Sequence, residues 1–298
     1  MSGHPRGMLA LGLVAALAAA AYGGEAASAT GAGGAAPVLV GIRAAHHSGF
    51  DRIVFEFSGA VPARRQVRYV DRLIADPSGR VVPIAGRAIL RVSLSRAAAH
   101  NSAGRLTAPV ATAVDLANIM AVVRSGDFES VVSYGIGLAK RTPVHMLTLT
   151  RPNRVVIDIG TSFRTVLKGV YFFNQRRFAA NTLPFVTRVL RPVVPATPAT
   201  AVMDRLFAGP TASEYAAGLR MIESNASGFT GLAINGGVAR IRLTGGCSSG
   251  GSTESISDEI VPTLKQLPGV RYVKIYDPSG RTEVPSGPRD SRPFCLEP

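Results

Sequence analysis

Gly49-Phe50-Asp51-Arg52-Ile53-Val54-Phe55-Glu56-Phe57 decides how the first half of this chain folds. Ile53, Phe55 and Phe57 alternate with Arg52, Val54 and Glu56, the period-2 pattern of a strand with one face in a core. Gly49 and Gly59 bracket it as turn residues. Its counterpart in the second half is Val238-Ala239-Arg240-Ile241-Arg242-Leu243-Thr244-Gly245-Gly246-Cys247, a second alternating strand that ends at one of only two cysteines.

Around the first strand, Val38 to Ile159 reads as all-β. Arg64-Arg65-Gln66-Val67-Arg68-Tyr69-Val70 is a strand, and Asp76-Pro77-Ser78-Gly79 turns the chain. Leu90, Val92 and Leu94 alternate with Arg91, Ser93 and Ser95. Val131 to Gly137 is a further strand candidate, and Val144 to Thr150 and Arg154 to Ile159 flank the hairpin signal Arg151-Pro152-Asn153. Only Val114 to Val123 reads as helical or irregular. Many short strands with little helix imply a β-sandwich.

The second half mixes helix and strand. Val170 to Asn174 and Phe185 to Leu190 read as strands. Thr197 is placed to cap a helix that starts at Pro198, carries Ala199, Val202, Met203, Leu206 and Phe207 at helical spacing, and stops at Gly209-Pro210. Asn235-Gly236-Gly237 is a hairpin signal between Leu232 and Val238. Ile256, Ile260, Leu264 and Leu267 mark a helix that Pro262 should bend, and Val270 to Tyr276 is a last strand. Asp-Pro-Ser-Gly-Arg occurs at 76–80 and again at 277–281, which is repeated turn chemistry and not a duplicated domain. The expected class is α+β overall: an N-terminal β-sandwich over 38–160 and a small C-terminal α/β domain over 168–298. The 298 residues exceed the usual size of one domain.

The first 29 residues read as a signal peptide: Arg6, an apolar run from Met8 to Tyr22, then Ala27-Ser28-Ala29, with Ala21-Tyr22-Gly23 as an earlier cleavage site. The run is shorter than a membrane span of about 20 residues. Residues 30–37 are expected to form a flexible leader. No cysteine follows the apolar run, so no lipid anchor is expected. An exported chain with two cysteines implies a Cys247–Cys295 disulfide, the alternative being two separate buried thiols.

The net charge of +14 belongs to the chain beyond the leader, with 16 basic against 8 acidic residues over 38–160 and 16 against 10 over 161–298. Such a balance suits polyanions, and equally suits a soluble arginine-rich surface. On the strand at 64–70, alternation puts Arg64, Gln66 and Arg68 on one face and Arg65, Val67 and Tyr69 on the other. Val67 and Tyr69 are the better core residues. Arg64 and Arg68, joined by Arg72, are then the candidate binding residues, since guanidinium groups fork onto carboxylates or phosphates. A solvated charged face is the alternative.

Catalytic motifs are thin. Gly246-Cys247-Ser248-Ser249-Gly250 fits G-x-S-x-G after a strand and before a helix. The histidines are His4, His46, His47, His100 and His145, and none follows Ser248 to complete the hydrolase order. The stretch reads as a Gly/Ser loop carrying a disulfide cysteine. His46 and His47 are neighbours on a strand and point apart, so with Asp51 they make a poor metal set. Asp127 and Glu129 read as turn and packing residues. No phosphate-binding glycine loop and no dinucleotide fingerprint occurs. No catalytic residue, metal or cofactor is assigned.

His47 to Phe57, Val67-Arg68-Tyr69-Val70, Gly126-Asp127-Phe128-Glu129 and Pro152-Asn153-Arg154-Val155-Val156-Ile157-Asp158 resemble the AMIN-like domain in the expected order. The resemblance implies a β-sandwich that binds peptidoglycan or an envelope complex, and no reaction. Val170-Tyr171-Phe172, Ala208-Gly209-Pro210-Thr211, Gly218-Leu219, Asn235 to Ala239, Cys247, Asp258-Glu259-Ile260, Val273 to Tyr276 and Pro293-Phe294-Cys295 resemble a GerMN domain of sporulation and spore germination proteins. That resemblance implies a small α/β fold related to ring-building modules. Chains with this pairing are often exported as lipoproteins, whereas here Tyr22 and its neighbours offer no lipid-bearing cysteine. The combined expectation is a non-enzymatic, secreted protein of the cell envelope, outside the cytoplasmic membrane. Its expected partners are cell-wall glycan or an envelope protein, not nucleic acid. Assembly through the GerMN half is the second reading, and a serine hydrolase the last.

Overall fold

The computed structural model describes residues 36–298. The expected signal peptide and nearly all of the leader lie outside the described residues. Among the described residues, no helix is long and apolar enough to cross a membrane.

Among the described residues, nine strands build the first half: β1 (Val38–His47), β2 (Phe50–Ser58), β3 (Arg64–Val70), β4 (Ala88–Ser95), β5 (Ala111–Ala113), β6 (Ile119–Phe128), β7 (Val131–Leu138), β8 (Val144–Leu149) and β9 (Asn153–Gly160). They form two antiparallel sheets ordered β1-β2-β9-β8 and β3-β4-β7-β6-β5. Ile53, Phe55, Phe57, Val155 and Ile157 from one sheet share a core with Leu90, Val92, Leu94, Val122, Tyr134 and Ile136 from the other. This is the β-sandwich that the alternating pattern predicts.

One expectation fails here. The segment 114–123 divides: 114–118 is irregular, but Ile119 to Val123 open β6. A register shift between Ile119 and Ala121 breaks the period of two. Both faces are also covered, for Ile119 and Val122 join the sandwich core while Met120 packs with Val194 of the second half. A strand buried on both sides with a bulge loses the alternation that identifies strands in sequence.

The second half runs β10 (Val166–Asn174), α1 (Gln175–Ala179), β11 (Val186–Val193), α2 (Pro198–Ala208), α3 (Ala212–Ala216), β12 (Leu219–Arg220), β13 (Ala226–Asn235), β14 (Val238–Gly245), α4 (Ser257–Lys265) and β15 (Tyr272–Tyr276). Its sheets are ordered β11-β10-β12 and β13-β14-β15, with β14 and β15 parallel. Val202, Met203 and Leu206 of α2 and Ile260 and Leu264 of α4 bury against Phe172, Ile241 and Ile275. The architecture is α+β overall, a sandwich followed by a small α/β half. The Gly236-Gly237 loop between β13 and β14 has both glycines at positive φ, as a two-residue hairpin demands. Helix α2 begins at Pro198 as expected. Thr197, however, caps it with its carbonyl to Ala201 N at 2.9 Å and makes no side-chain cap bond. Side-chain caps lie elsewhere, on α1, where Asn174 Oδ1 accepts from Arg176 N and Arg177 N, and on α3, where Thr211 and Glu214 form a capping box.

Cys247 and Cys295 are joined, with Cα atoms 5.7 Å apart. The bond ties the end of β14 to the C-terminal turn Phe294–Leu296. With a sequence separation of 48, closing the loop is worth about 4 kcal/mol in the chain-entropy model.

Arginines hold the halves together. Arg205 of α2 is 1% exposed. Its Nη1 donates to the carbonyls of Val114 and Ile119, both at 3.3 Å, and its Nη2 to those of Leu116 and Ala117. Arg87 Nε donates to Asp204 Oδ2 at 2.7 Å, and a second bond joins Arg87 Nη2 to Oδ1. Arg191 lies between Glu214 of its own half and Asp115 of the sandwich. The described residues thereby pack as one compact unit around two cores.

Candidate functional site

β3 is an edge strand, and its side chains alternate as expected. Arg64, Gln66 and Arg68 are exposed while Arg65, Val67 and Tyr69 are half-buried. Val67 and Tyr69 pack against the sandwich core. Register with β4 sets Arg64 opposite Ser95, Gln66 opposite Ser93 and Arg68 opposite Arg91. Directly opposed like charges repel. Asp76, from the turn at 76–79, relieves this by pairing with Arg91. Asp76 also accepts from Ser133 Oγ at 3.3 Å. Arg68 is left without a carboxylate, as are Arg64 and Arg72 among the described residues. Arg68 is four positions on from Arg64, about 13 Å along the strand.

Arg72 parts from the other two. It lies beyond the end of β3 and lines a cavity of about 300 Å³ at the seam between the halves, together with Asp71, Arg87 and Phe229. A cation that the sequence reading missed joins the strand edge: Arg141 stacks on the Tyr69 ring at 4.5 Å. The Tyr69 hydroxyl donates to Thr142 O at 2.6 Å and accepts from Thr142 N at 3.0 Å. The signal available was the basic pair Lys140-Arg141 between two strands, but its neighbour Tyr69 lies far away in sequence.

The other candidate groups have structural partners. Asp51 is fully buried on the inward face of β2, and its Oδ2 accepts from Asn118 N at 2.6 Å and Ile119 N at 3.1 Å. Its Oδ1 meets His46 Nδ1 at 2.7 Å, whereas His47 stacks on Phe50. Asp127 accepts from Ala99 N and meets His100 Nδ1 at 2.7 Å, while Glu129 sits at positive φ in the turn between β6 and β7. Ser248 Oγ accepts from Gly250 N at 3.0 Å, and Ser249 Oγ donates to Glu297 O. Among the described residues, no three His, Cys, Asp or Glu side chains gather as a metal set would.

The electrostatics of the second half centre on Glu259 of α4. Burial pushes its carboxyl up to about 8, against the pull of hydrogen bonds from Phe173 N at 2.8 Å and Ile222 N at 3.1 Å. At the seam, burial raises Asp204 while Arg87 pulls it back, and burial lowers Arg205 to about 10.

Residues 37–161 match the AMIN-like domain family, and residues 169–276 match the Germane family, described as sporulation and spore germination. No match was found among curated proteins or among solved structures. The matched segments coincide with the sandwich and with most of the α/β half. The chain therefore carries an AMIN-like domain followed by a Germane domain, a pairing that speaks for an envelope- or sporulation-related protein.

Proposed function

We propose that this is an exported, non-enzymatic envelope protein whose AMIN-like half binds cell-wall polymer or an envelope partner through the arginine face of β3. The observation that carries the reading is the state of Arg64 and Arg68. Arg43, Arg52, Arg87, Arg91, Arg191 and Arg292 all spend their charge on carboxylates of this chain. Arg64 and Arg68 stand exposed on one edge strand with no such partner among the described residues. Guanidinium groups so placed are free to fork onto the carboxylates of wall peptides or the phosphates of wall-linked polymers. The hydroxyls of Ser248 and Ser249 close the loop that carries the disulfide, which favours a structural role over a nucleophile.

The test is co-sedimentation of the protein with purified cell walls. Wild type should pellet, and binding should weaken as salt rises, because the screening length falls from about 10 Å at 0.1 M to about 3 Å at 1 M. Arg64→Glu with Arg68→Glu should release the folded protein. Undiminished pelleting by that variant removes the face, and no pelleting by wild type removes the reading.

Assembly through the Germane half has one observation in its favour. Leu183 is 73% exposed and Leu167 62% exposed, with Leu190 and Tyr215 also open to solvent. Gel filtration at rising concentration should then show oligomers, and a monomer throughout would set the idea aside.

A further inference from the structure

The free edge of the five-stranded sheet differs from the other sheet edge of the sandwich that faces solvent with arginines. β3 guards its edge with Arg64, Arg65 and Arg68, as exposed edges usually are guarded. At the opposite end, β5 and its flanks read Val110-Ala111-Thr112-Ala113-Val114, without a charge. Val110 is 45% exposed.

The register tells which backbone groups of β5 are spent. Arg124 N donates to Val110 O and Val114 N to Met120 O, both at 2.7 Å. In an antiparallel ladder hydrogen-bonded pairs alternate with non-bonded ones. Thr112 opposite Val122 is therefore the bonded pair between these two, and Ala111 and Ala113, opposite Val123 and Ala121, turn their N–H and C=O outward. Among the described residues these groups have no partner, and backbone donors and acceptors left so in alternation are the complement of another extended chain.

This edge borders a cavity of about 600 Å³ built by both halves. Ala121 and Val123 of β6 and the segment 83–85 line the sandwich side, and Phe207, Tyr215 and Met221 line the other, with Arg220 and Glu223 beside them. Ala111 and Ala113 share a sheet face with Val123 and Ala121. Their small side chains leave room for a second backbone, and alternate side chains of an added strand would enter a space that is mainly apolar and aromatic, with Arg220 and Glu223 on its second-half wall.

We propose that the open edge of β5 takes an extended, uncharged peptide segment of a partner protein as an added strand, with alternate aliphatic side chains seated in the seam cavity. The site needs both halves, since one supplies the backbone edge and the other the side-chain wall. It is independent of the arginine face on β3.

The probe is a random dodecapeptide library displayed on phage and selected against the full chain. Selected peptides should alternate aliphatic residues, and synthetic copies should slow amide hydrogen exchange at Ala111 and Ala113. Ala111→Pro removes one outward N–H and leaves the bonds of Val110, Thr112 and Val114 in place, so it should weaken those peptides about tenfold. Ala113→Arg, which adds a charge to the edge without altering the backbone, is the second variant should proline disturb the fold. Arg64→Glu with Arg68→Glu should leave peptide capture unchanged, so this proposal and the wall-binding reading fail separately. Selection of no peptide, binding that leaves both amides unprotected, or affinity unchanged in both edge variants would overturn the proposal. So would protection of these amides in the isolated chain, or by a soluble wall fragment in place of the peptides.

Discussion

Glu259 is a carboxylate with nowhere to go. It is fully buried on α4, and each of its oxygens accepts one backbone N–H, from Phe173 and from Ile222. Those bonds suit the ionised form, but burial outweighs them and raises the folded carboxyl from 4.5 to about 8, with Asp258 adding a smaller push. Between these two values the folded state holds a proton that the unfolded state has lost. The stability that Glu259 contributes is therefore fully present below about 4.5 and is lost as pH climbs through about 8. Urea midpoints measured across that window should fall for wild type and lose most of this slope in Glu259→Gln. A flat wild-type profile would show that the two N–H donors win over burial.

At the scale of elements, the segment 71–87 shows how a pair of glycines admits a covering layer. It packs on the outer face of the five-stranded sheet, with Leu73 fully buried. Contact is possible because β7 carries Gly135 and Gly137 there. A Cβ on Gly137 would lie 1.9 Å from Ala85 O, and one on Gly135 would meet Leu73 at 2.5 Å. Gly137→Ala must therefore displace the 83–85 backbone, which also lines the seam cavity. Overpacking of this kind costs about 1–3 kcal/mol. The unfolding midpoint should drop accordingly, and proteolysis within 71–87 should speed up. An unchanged midpoint and an unchanged cleavage rate would mean that the layer is loosely held.

At the scale of the whole molecule, the seam decides whether the two halves behave as one. Residues 161–165 connect them, and Phe163 is not loose. It packs beside Met120, Ala139 and Val194, and Lys140 lies over its ring at 5.3 Å. The principal clamp is Arg205, which serves four carbonyls of the 114–119 segment from across the seam. Arg205→Met keeps much of the volume but removes the donors, and leaving buried acceptors unpaired costs about 1–3 kcal/mol. Limited trypsin treatment should then cut after exposed Arg164 at far lower enzyme concentration than in wild type. Equal cleavage in both proteins would place the coupling elsewhere.

Much of this was legible in the residues. The alternation of Ile53, Phe55 and Phe57, the Asn235-Gly236-Gly237 turn, the helix starting at Pro198 and the exposed face of Arg64 and Arg68 are local patterns. Period, turn chemistry and proline geometry act within a few residues, so the chain alone determines them. The two cysteines likewise announced their bond by number. Other features arise only when distant segments meet. Ile119 to Val123 hid as a strand because a bulge and burial on both faces erased its period. Arg141 reached the β3 edge through Tyr69, and Arg72 left the arginine face for the seam, because the end of β3 and the packing of the next segment placed them there. Nothing local to its helix marks Arg205 as buried, yet it is, since its carbonyl partners come from the other half of the chain. Tertiary structure alone decided these, because desolvation and hydrogen-bond partnership depend on which surfaces are pressed together, and no local stretch carries that information.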